Sequence, residues 1–195
     1  MRKFSSRQEQ IVKTSINLIA NQGIQQLTIK HISQEIGISE PAIYRHFQSK
    51  MDIMVAVLDY FEKITLSFRQ DMMKPGLTGI ERIEIFLLNR YQLFTKDHAL
   101  AKVMFSDESF QYEAQLSQKF LGIINDHRNL LVLAIRQAQL EGNILSDIPY
   151  PHLFQIIVGS MRLLVNRWGY SNFSFDLKSE GMSLWQTIKK VIQTQ

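Results

Sequence analysis

The chain has 195 residues, of which 45% are hydrophobic and 21% are charged, and it contains no cysteine. That apolar content is enough for a sizeable core and excludes overall disorder, and the lack of cysteine excludes disulfides, thiolate metal sites and cysteine nucleophiles. Residues 1–50 hold seven Lys or Arg against three Asp or Glu, so they carry the whole net charge of +4. This asymmetry favours a polyanionic partner for the N-terminal part, with a basic tail on a neutral globule as the alternative.

Three short helices are predicted at the N-terminal end of the chain. The first covers residues 7–20 and ends before Gly23. The second begins at the N-cap Thr28 and ends at Gly37, and the third begins at the N-cap Ser39. Two short helices that are separated by about three residues, with glycine at the turn, are typical of a helix-turn-helix.

Six further helices are predicted from hydrophobic residues at helical spacing, at residues 50–73, 78–97, 99–110, 113–142, 152–170 and 183–193. No run of alternating apolar and polar residues predicts a strand. We therefore expect an all-α fold of about nine helices. No segment has the length and apolar character of a membrane span or the pattern of a targeting signal, so we expect a cytoplasmic protein without a membrane partner.

Short motifs lie at fixed spacing in this N-terminal part: Leu27-Thr28 before the second helix, Gly37-Ile38-Ser39 at the turn, Tyr44-x-His46-Phe47, and then Lys50. With these motifs the segment resembles the N-terminal domain of TetR/AcrR-family transcriptional regulators, over roughly residues 7–60. The resemblance implies a three-helix DNA-binding domain at residues 1–50 and a bridging helix from about 50 to 73. It also implies a helical regulatory and dimerisation domain at residues 51–195.

The predicted DNA-binding residues lie on the two short helices and at the start of the bridging helix: Thr28, Lys30, Ser39, Glu40, Pro41, Ala42, Tyr44, Arg45, His46 and Lys50. Short or polar side chains at the start of a recognition helix let it enter the major groove. Side chains one turn later can reach phosphates or base edges. The resemblance implies phosphate contacts for Tyr44 and Lys50.

Each of these residues also has a simpler interpretation. Tyr44 is either a phosphate contact or a packing aromatic, and Arg45 is either a base reader or a solvated side chain. His46 is as well explained by stacking or capping at a helix end. Glu40 repels phosphate unless it accepts a hydrogen bond from cytosine N4 or points away from the DNA.

Aromatic and methionine side chains after residue 50 are candidates for a ligand site. The resemblance implies a cavity among the helices between Met51 and Gly142, and the candidates for its lining are Phe86, Tyr91, Phe94, Met104, Phe105 and Phe120. Apolar residues at helical spacing are usually part of the core, so each of them is individually better explained by packing.

The last two predicted helices carry more apolar residues than the core of a neutral single chain of this size needs. The resemblance implies that they meet a second copy in a four-helix interface, through Phe154, Ile157, Met161, Leu164, Trp168, Trp185, Ile188 and Ile192. Packing within one subunit is the alternative.

The expected function is that of a homodimeric repressor that binds a palindromic operator in double-stranded DNA and is released by a small-molecule effector. A regulator whose C-terminal domain docks a protein partner is the alternative. A third hypothesis is a helical enzyme or small-molecule-binding protein whose helix-turn-helix pattern is coincidental. The sequence contains no nucleotide-binding or nucleophile motif that would support an enzyme. Because His98, His127 and His152 have no partner four residues away, we expect no metal site. Since no catalytic motif is present, we expect no enzymatic activity, and we expect no cofactor.

Overall fold

A computed structural model describes residues 3–105, 110 and 113–194. Over these residues the chain is all-α, which confirms the predicted fold class. The helices are α1 Ser6–Gln22, α2 Ile29–Ile36, α3 Glu40–Tyr44, α4 Lys50–Ile64, α5 Leu66–Met72, α6 Gly79–Lys96, α7 His98–Phe105, α8 Ala114–Leu140, α9 Tyr150–Tyr170 and α10 Leu177–Ile192, with a 3-10 turn at Ile24–Gln26.

The described residues form ten α-helices, because the bridging helix predicted at residues 50–73 is interrupted at Thr65. The Thr65 hydroxyl donates to the carbonyl of Glu62 at 2.9 Å, and its backbone N–H also donates to that carbonyl at 3.3 Å. A threonine that bonds back to the preceding turn competes with the regular helical ladder. The helix predicted at residues 50–73 is therefore two helices, α4 and α5.

Local capping also moves the start of the last helix. The sequence predicts a start at Ser183, whereas α10 begins at Leu177 behind the N-cap Asp176. The Asp176 carboxylate accepts from the backbone N–H of Ser179 at 3.0 Å, and this bond lowers the Asp176 pKa. Leu177 is the one large apolar residue in the sequence Leu177-Lys-Ser-Glu-Gly181, so apolar spacing alone does not predict this turn. The predicted helix at residues 99–110 is α7, and residues 106–109 lie outside the described part of the chain.

The chain divides into two compact units. Unit 1 consists of Met1–Thr65 and Ala99–Ile123, and unit 2 consists of Leu66–His98 and Ile124–Gln195. The division of the chain into a DNA-binding domain at 1–50 and a regulatory domain at 51–195 stays a prediction.

The core of unit 1 is built from the apolar stripes of its helices. Helix α1 packs against α2 and α4, and α2 packs against α3. Ile43 on α3 and Phe47 just after it lie four residues apart, and both are buried. In unit 2, α6 packs against α5 and α10, and α10 packs against α9. None of the helices in the described residues has the length and apolar character that crossing a membrane requires.

Most of the residues predicted for the dimer interface are buried within the single chain, and their contacts with a second copy stay a prediction. Six of the eight are buried within the single chain, at Ile157, Met161, Leu164, Trp168, Trp185 and Ile192, and the other two, Phe154 and Ile188, are half-buried. Within the single chain, most of their apolar surface packs inside unit 2. The periodicity correctly indicated burial, but it did not identify the neighbour.

Candidate nucleic-acid interface

The helix-turn-helix begins at a capped helix end and turns at a glycine. The Thr28 hydroxyl accepts from the backbone N–H of His31 at 3.1 Å, which confirms Thr28 as the N-cap of α2. Gly37 has φ 76° and ψ 37°, a left-handed conformation that glycine adopts without steric cost. Beyond it, the N–H of Ile38 donates to the carbonyl of Ser33 at 2.9 Å, closing the helix end.

Helix α3 starts at Ser39 without help from the serine side chain. Ser39 is the N-cap by backbone conformation, and its carbonyl accepts from the N–H of Ala42 at 2.9 Å. Pro41 lies in the first turn, where no amide donor is missed. Over the described residues, the Ser39 hydroxyl makes no capping hydrogen bond, so the predicted side-chain cap is wrong while its position is right.

Buried residues and two tertiary hydrogen bonds hold α3 and the start of α4 in place. Ile43 and Phe47 anchor α3 to the core of unit 1. Nε2 of Gln8, on α1, donates to the carbonyl of His46 at 3.3 Å. Nζ of Lys50 donates to the carbonyl of Ile24 at 3.4 Å. The backbone that carries the candidate residues is therefore fixed from both ends.

All ten candidate DNA-binding residues lie in unit 1. Seven are exposed (Thr28, Lys30, Ser39, Glu40, Pro41, Tyr44 and Arg45) and three are half-buried (Ala42, His46 and Lys50). Tyr44 is 51% exposed, more than a packing aromatic would be, and this exposure favours a role at the surface. The DNA contacts of the ten residues stay predictions.

Lys50 lies in the wall of a cavity in unit 1. The cavity has a volume of about 380 Å³ and is lined by Ile24, Gln25, Lys50, Met51, Met54, Glu113 and Leu116. In this wall the Lys50 ammonium donates to the backbone carbonyl of Ile24. To contact a DNA phosphate, the long Lys50 side chain would have to leave the Ile24 carbonyl and extend towards solvent.

The six candidate ligand-binding residues are divided between the two units, and their ligand contacts stay predictions. Phe86, Tyr91 and Phe94 are buried on α6 in unit 2, and burial raises the pKa of the Tyr91 hydroxyl to about 12. The other three, Met104, Phe105 and Phe120, are half-buried in unit 1. None of the six lines the cavity in unit 1.

A second cavity, of about 460 Å³, lies in unit 2 and has an aromatic corner. The ring of His98 stacks on Phe173 at 4.0 Å between centroids and meets Trp168 at 4.8 Å. None of the six candidate ligand residues lines this cavity either. Among the described residues, no group of three or more His, Cys, Asp or Glu side chains is placed to hold a metal ion.

The sequence analysis missed a buried arginine on α6. Arg90 is only 3% exposed, and burial lowers the pKa of its guanidinium to about 10. Arg90 follows Phe86 by four residues and precedes Phe94 by four, so it lies on the apolar stripe of the helix. This position could have indicated burial of Arg90 from the sequence, because a solvated arginine lies on the polar face of an amphipathic helix.

Comparison with known proteins agrees with this geometry. Residues 11–57 match the family model of bacterial regulatory proteins of the tetR family. The fatty acid metabolism regulator protein of Bacillus subtilis (strain 168) is 23% identical over 177 residues, which cover 91% of each chain. The nucleoid occlusion factor SlmA of Vibrio vulnificus (strain YJ016) is 21% identical over 196 residues, which cover 98% of each chain.

The fold is also that of a solved structure, the transcriptional regulator FadR from Bacillus subtilis in complex with stearoyl-CoA. The two structures align with a TM-score of 0.80 and 22% sequence identity, over 95% of this chain and 99% of the other.

Proposed function

Because this chain belongs to the TetR family of bacterial regulatory proteins, it is a DNA-binding transcriptional regulator, and we propose that it acts as a homodimeric repressor released by a small-molecule effector. The observation that carries the proposal is the α2–turn–α3 segment. This segment presents Lys30, Tyr44 and Arg45 on the surface of the part of the chain that holds the whole net charge. A positively charged surface around a recognition helix favours duplex DNA.

A dimer is supported by the exposed face of α9. Ile156, Leu163 and Tyr170 are 43%, 73% and 90% exposed in the single chain and lie seven residues apart, with the exposed Gly159 between the first two. Apolar residues at a spacing of seven form a seam along one side of a helix, and a glycine lets a second helix approach closely. We propose this seam as the dimer interface. Two copies of α3 about 34–36 Å apart would then meet successive major grooves of a palindromic operator.

The proposed effector carries a long apolar portion. A FadR of the same fold was solved with stearoyl-CoA, and a relative of this chain is named for fatty acid metabolism. The effector shifts the equilibrium only if it binds the DNA-competent and DNA-incompetent states differently. A 10-fold to 100-fold loss of operator affinity requires a coupling of about 1.4–2.7 kcal/mol.

The test is a titration of the purified protein against duplex DNA from upstream of its own gene. An excess of unrelated duplex is present, and the titration is repeated at two salt concentrations. We expect binding that survives the competitor, weakens steeply with salt, and is reversed by stearoyl-CoA or a shorter acyl-CoA. The absence of any salt-dependent DNA affinity, on random duplex as well, would refute the proposed function.

A protein-docking regulator is the second candidate, and a surface on α8 favours it. Leu133 and Leu140 are 59% and 90% exposed, lie seven residues apart, and are not on the α9 seam. An exposed apolar patch outside the dimer interface is typical of a docking surface. Operator binding that no small molecule reverses, but that Leu133→Asp changes in cells, would select this candidate.

A further inference from the structure

The guanidinium of Arg90 is a buried cation with no counterion among the described residues. Within the described part of the chain, Nη2 donates to Oδ1 of Asn89 at 3.2 Å, while Nε and Nη1 have no hydrogen-bond partner. Buried charges in proteins are normally paired with opposite charge and fully hydrogen-bonded. The N–H groups of Nε and Nη1 are therefore available to an acceptor that the described residues do not supply.

The neighbours of Arg90 stabilise its charge without satisfying its donors. Cζ of Arg90 lies 4.5 Å from the ring centroid of Phe68 and 5.7 Å from that of Phe86. Aromatic faces attract a cation, but they offer no strong acceptor to an N–H group. The stacking therefore explains how the charge is tolerated, and it leaves the hydrogen-bonding capacity unused.

The third neighbouring group is an uncharged imidazole. His127, on α8, packs edge-on against Phe68 with 6.4 Å between the ring centroids. Burial, followed by the positive charges of Arg90 and Arg69, lowers the pKa of His127 to about 4. At neutral pH the imidazole is neutral and can donate or accept one hydrogen bond. The electrostatic field around Arg90 is therefore positive, and the neighbouring His127 is polar but uncharged.

We propose that Arg90 binds the carboxylate of an acidic effector whose apolar body packs against Phe68 and Phe86. This inference rests on the proposed function, since it names the chemical class of the effector that the regulator senses. A carboxylate is planar, accepts two N–H bonds from one guanidinium and carries one charge, which balances the single charge of Arg90. A phosphate dianion would leave a surplus negative charge in an apolar environment.

The first experiment uses the full-length protein without DNA. Binding of octanoate, decanoate and phenylacetate is measured by calorimetry and by thermal shift, each against its methyl ester. The ester keeps the apolar body and removes the charge. We expect at least one acid to bind the wild type, and to do so at least about tenfold more tightly than its ester, because charge-assisted hydrogen bonds to the buried guanidinium are lost.

The second experiment uses three variants on α6. Arg90→Met should reduce acid binding to the level of the ester, and Arg90→Lys should restore part of the difference. Arg82→Met is the matched control, because Arg82 lies on the same helix and donates to the carbonyls of Met72 and Lys74. It should leave the preference for acid over ester unchanged.

Stability gives a readout that a structural arginine would not show. Because Arg90→Met removes an unpaired buried charge, the ligand-free variant should melt at a higher temperature than the wild type. Arg82→Met removes two hydrogen bonds to carbonyls and should melt at a lower temperature. A lower melting temperature for Arg90→Met would mean that the guanidinium is satisfied within the chain, and it would overturn the proposal.

The remaining outcomes are also decisive. The proposal is overturned if no acid in the panel binds, if acid and ester bind equally, or if Arg90→Met binds the acid as the wild type does. Release from the operator by an acyl-CoA, together with no binding of free acids, would overturn the carboxylate at Arg90 and keep the proposed function. Acid binding at Arg90 by a protein with no operator affinity would support the carboxylate site and overturn the proposed function.

Discussion

The ring of Tyr91 lies against the α-carbon of Gly181, so closely that a Cβ at position 181 would come within 2.3 Å of Cε2 and Cζ of the ring. This contact joins α6 to α10 in unit 2, and Tyr91 is 1% exposed, so the ring has no free space to move into. The packing of α6 against α10 thus depends on the absence of a side chain at position 181.

Gly181→Ala should therefore destabilise the protein. Forcing a methyl group against a buried ring should lower the free energy of unfolding by about 1–3 kcal/mol. Urea denaturation measures the change. Gly122→Ala is the control, because Gly122 is an exposed residue of α8 where an added methyl group would extend into open space, and alanine there should be neutral or slightly stabilising. Equal behaviour of the two variants would contradict the close contact.

Leu163→Glu should convert the proposed dimer into a monomer. Leu163 is 73% exposed in the single chain, so the change should leave the folded subunit intact while placing like charges opposite each other across the α9 seam. Light scattering after size-exclusion chromatography gives the mass. Leu140→Glu, 90% exposed on α8, is the control and should keep the mass of the wild type. A Leu163→Glu protein of unchanged mass would place the dimer interface elsewhere.

Lys50→Ala should weaken binding to every DNA sequence by the same factor. A lysine that neutralises one phosphate contributes through counterion release, so its loss should reduce the slope of log affinity against log salt by about 1. Anisotropy titrations on operator and random duplex over a salt series measure this slope. Lys178→Ala, an exposed residue of α10 in unit 2, is the control. An unchanged slope in Lys50→Ala would show that the ammonium stays on the carbonyl of Ile24.

The partly buried His127 should make the fold sensitive to acid. Its pKa is about 4 in the folded chain and 6.5 in the unfolded chain, so the unfolded chain binds more protons between these values. Stability from this group is therefore full above pH 6.5 and falls as the pH drops to about 4, by up to about 3 kcal/mol.

His127→Gln should flatten this part of the pH profile. Urea denaturation over a pH series, with each variant compared to the wild type, isolates the contribution of the one residue. His152→Gln is the control, because His152 is exposed on α9. If the profile of His127→Gln runs parallel to that of the wild type through this range, then burial does not suppress protonation of the imidazole.

Local signals in the sequence were enough to predict the candidate DNA-binding segment. The Thr28 cap and the left-handed Gly37 each depend on residues within a few positions, so their structure follows from the sequence nearby. The break at Thr65 was missed because apolar residues keep their helical spacing across it. The bonds from the Thr65 hydroxyl and backbone N–H to the carbonyl of Glu62 show where the regular helical ladder ends.

Tertiary features were harder to predict, for a physical reason. Helical periodicity says which face of a helix is buried, but burial of Leu164 in its own subunit and burial in a second copy have the same periodicity. The same limit applies to Arg90. Its position on the apolar stripe of α6 was visible in the sequence. The lack of a hydrogen-bond partner for Nε and Nη1 among the described residues depends on which side chains the other helices of unit 2 place near them.

The Ser39 hydroxyl does not cap α3, so the predicted DNA contact of this side chain is independent of the folding of the helix. The start of α3 is set by the backbone bond from Ala42 and by Pro41, so the side chain at 39 can be exchanged at little cost in stability. Thr28 differs, because its hydroxyl holds the first turn of α2, and a cap of this kind contributes about 0.5–2 kcal/mol. A substitution at residue 39, a predicted DNA contact, should therefore leave the start of α3 intact, whereas a substitution at residue 28 would also have to preserve the cap of α2.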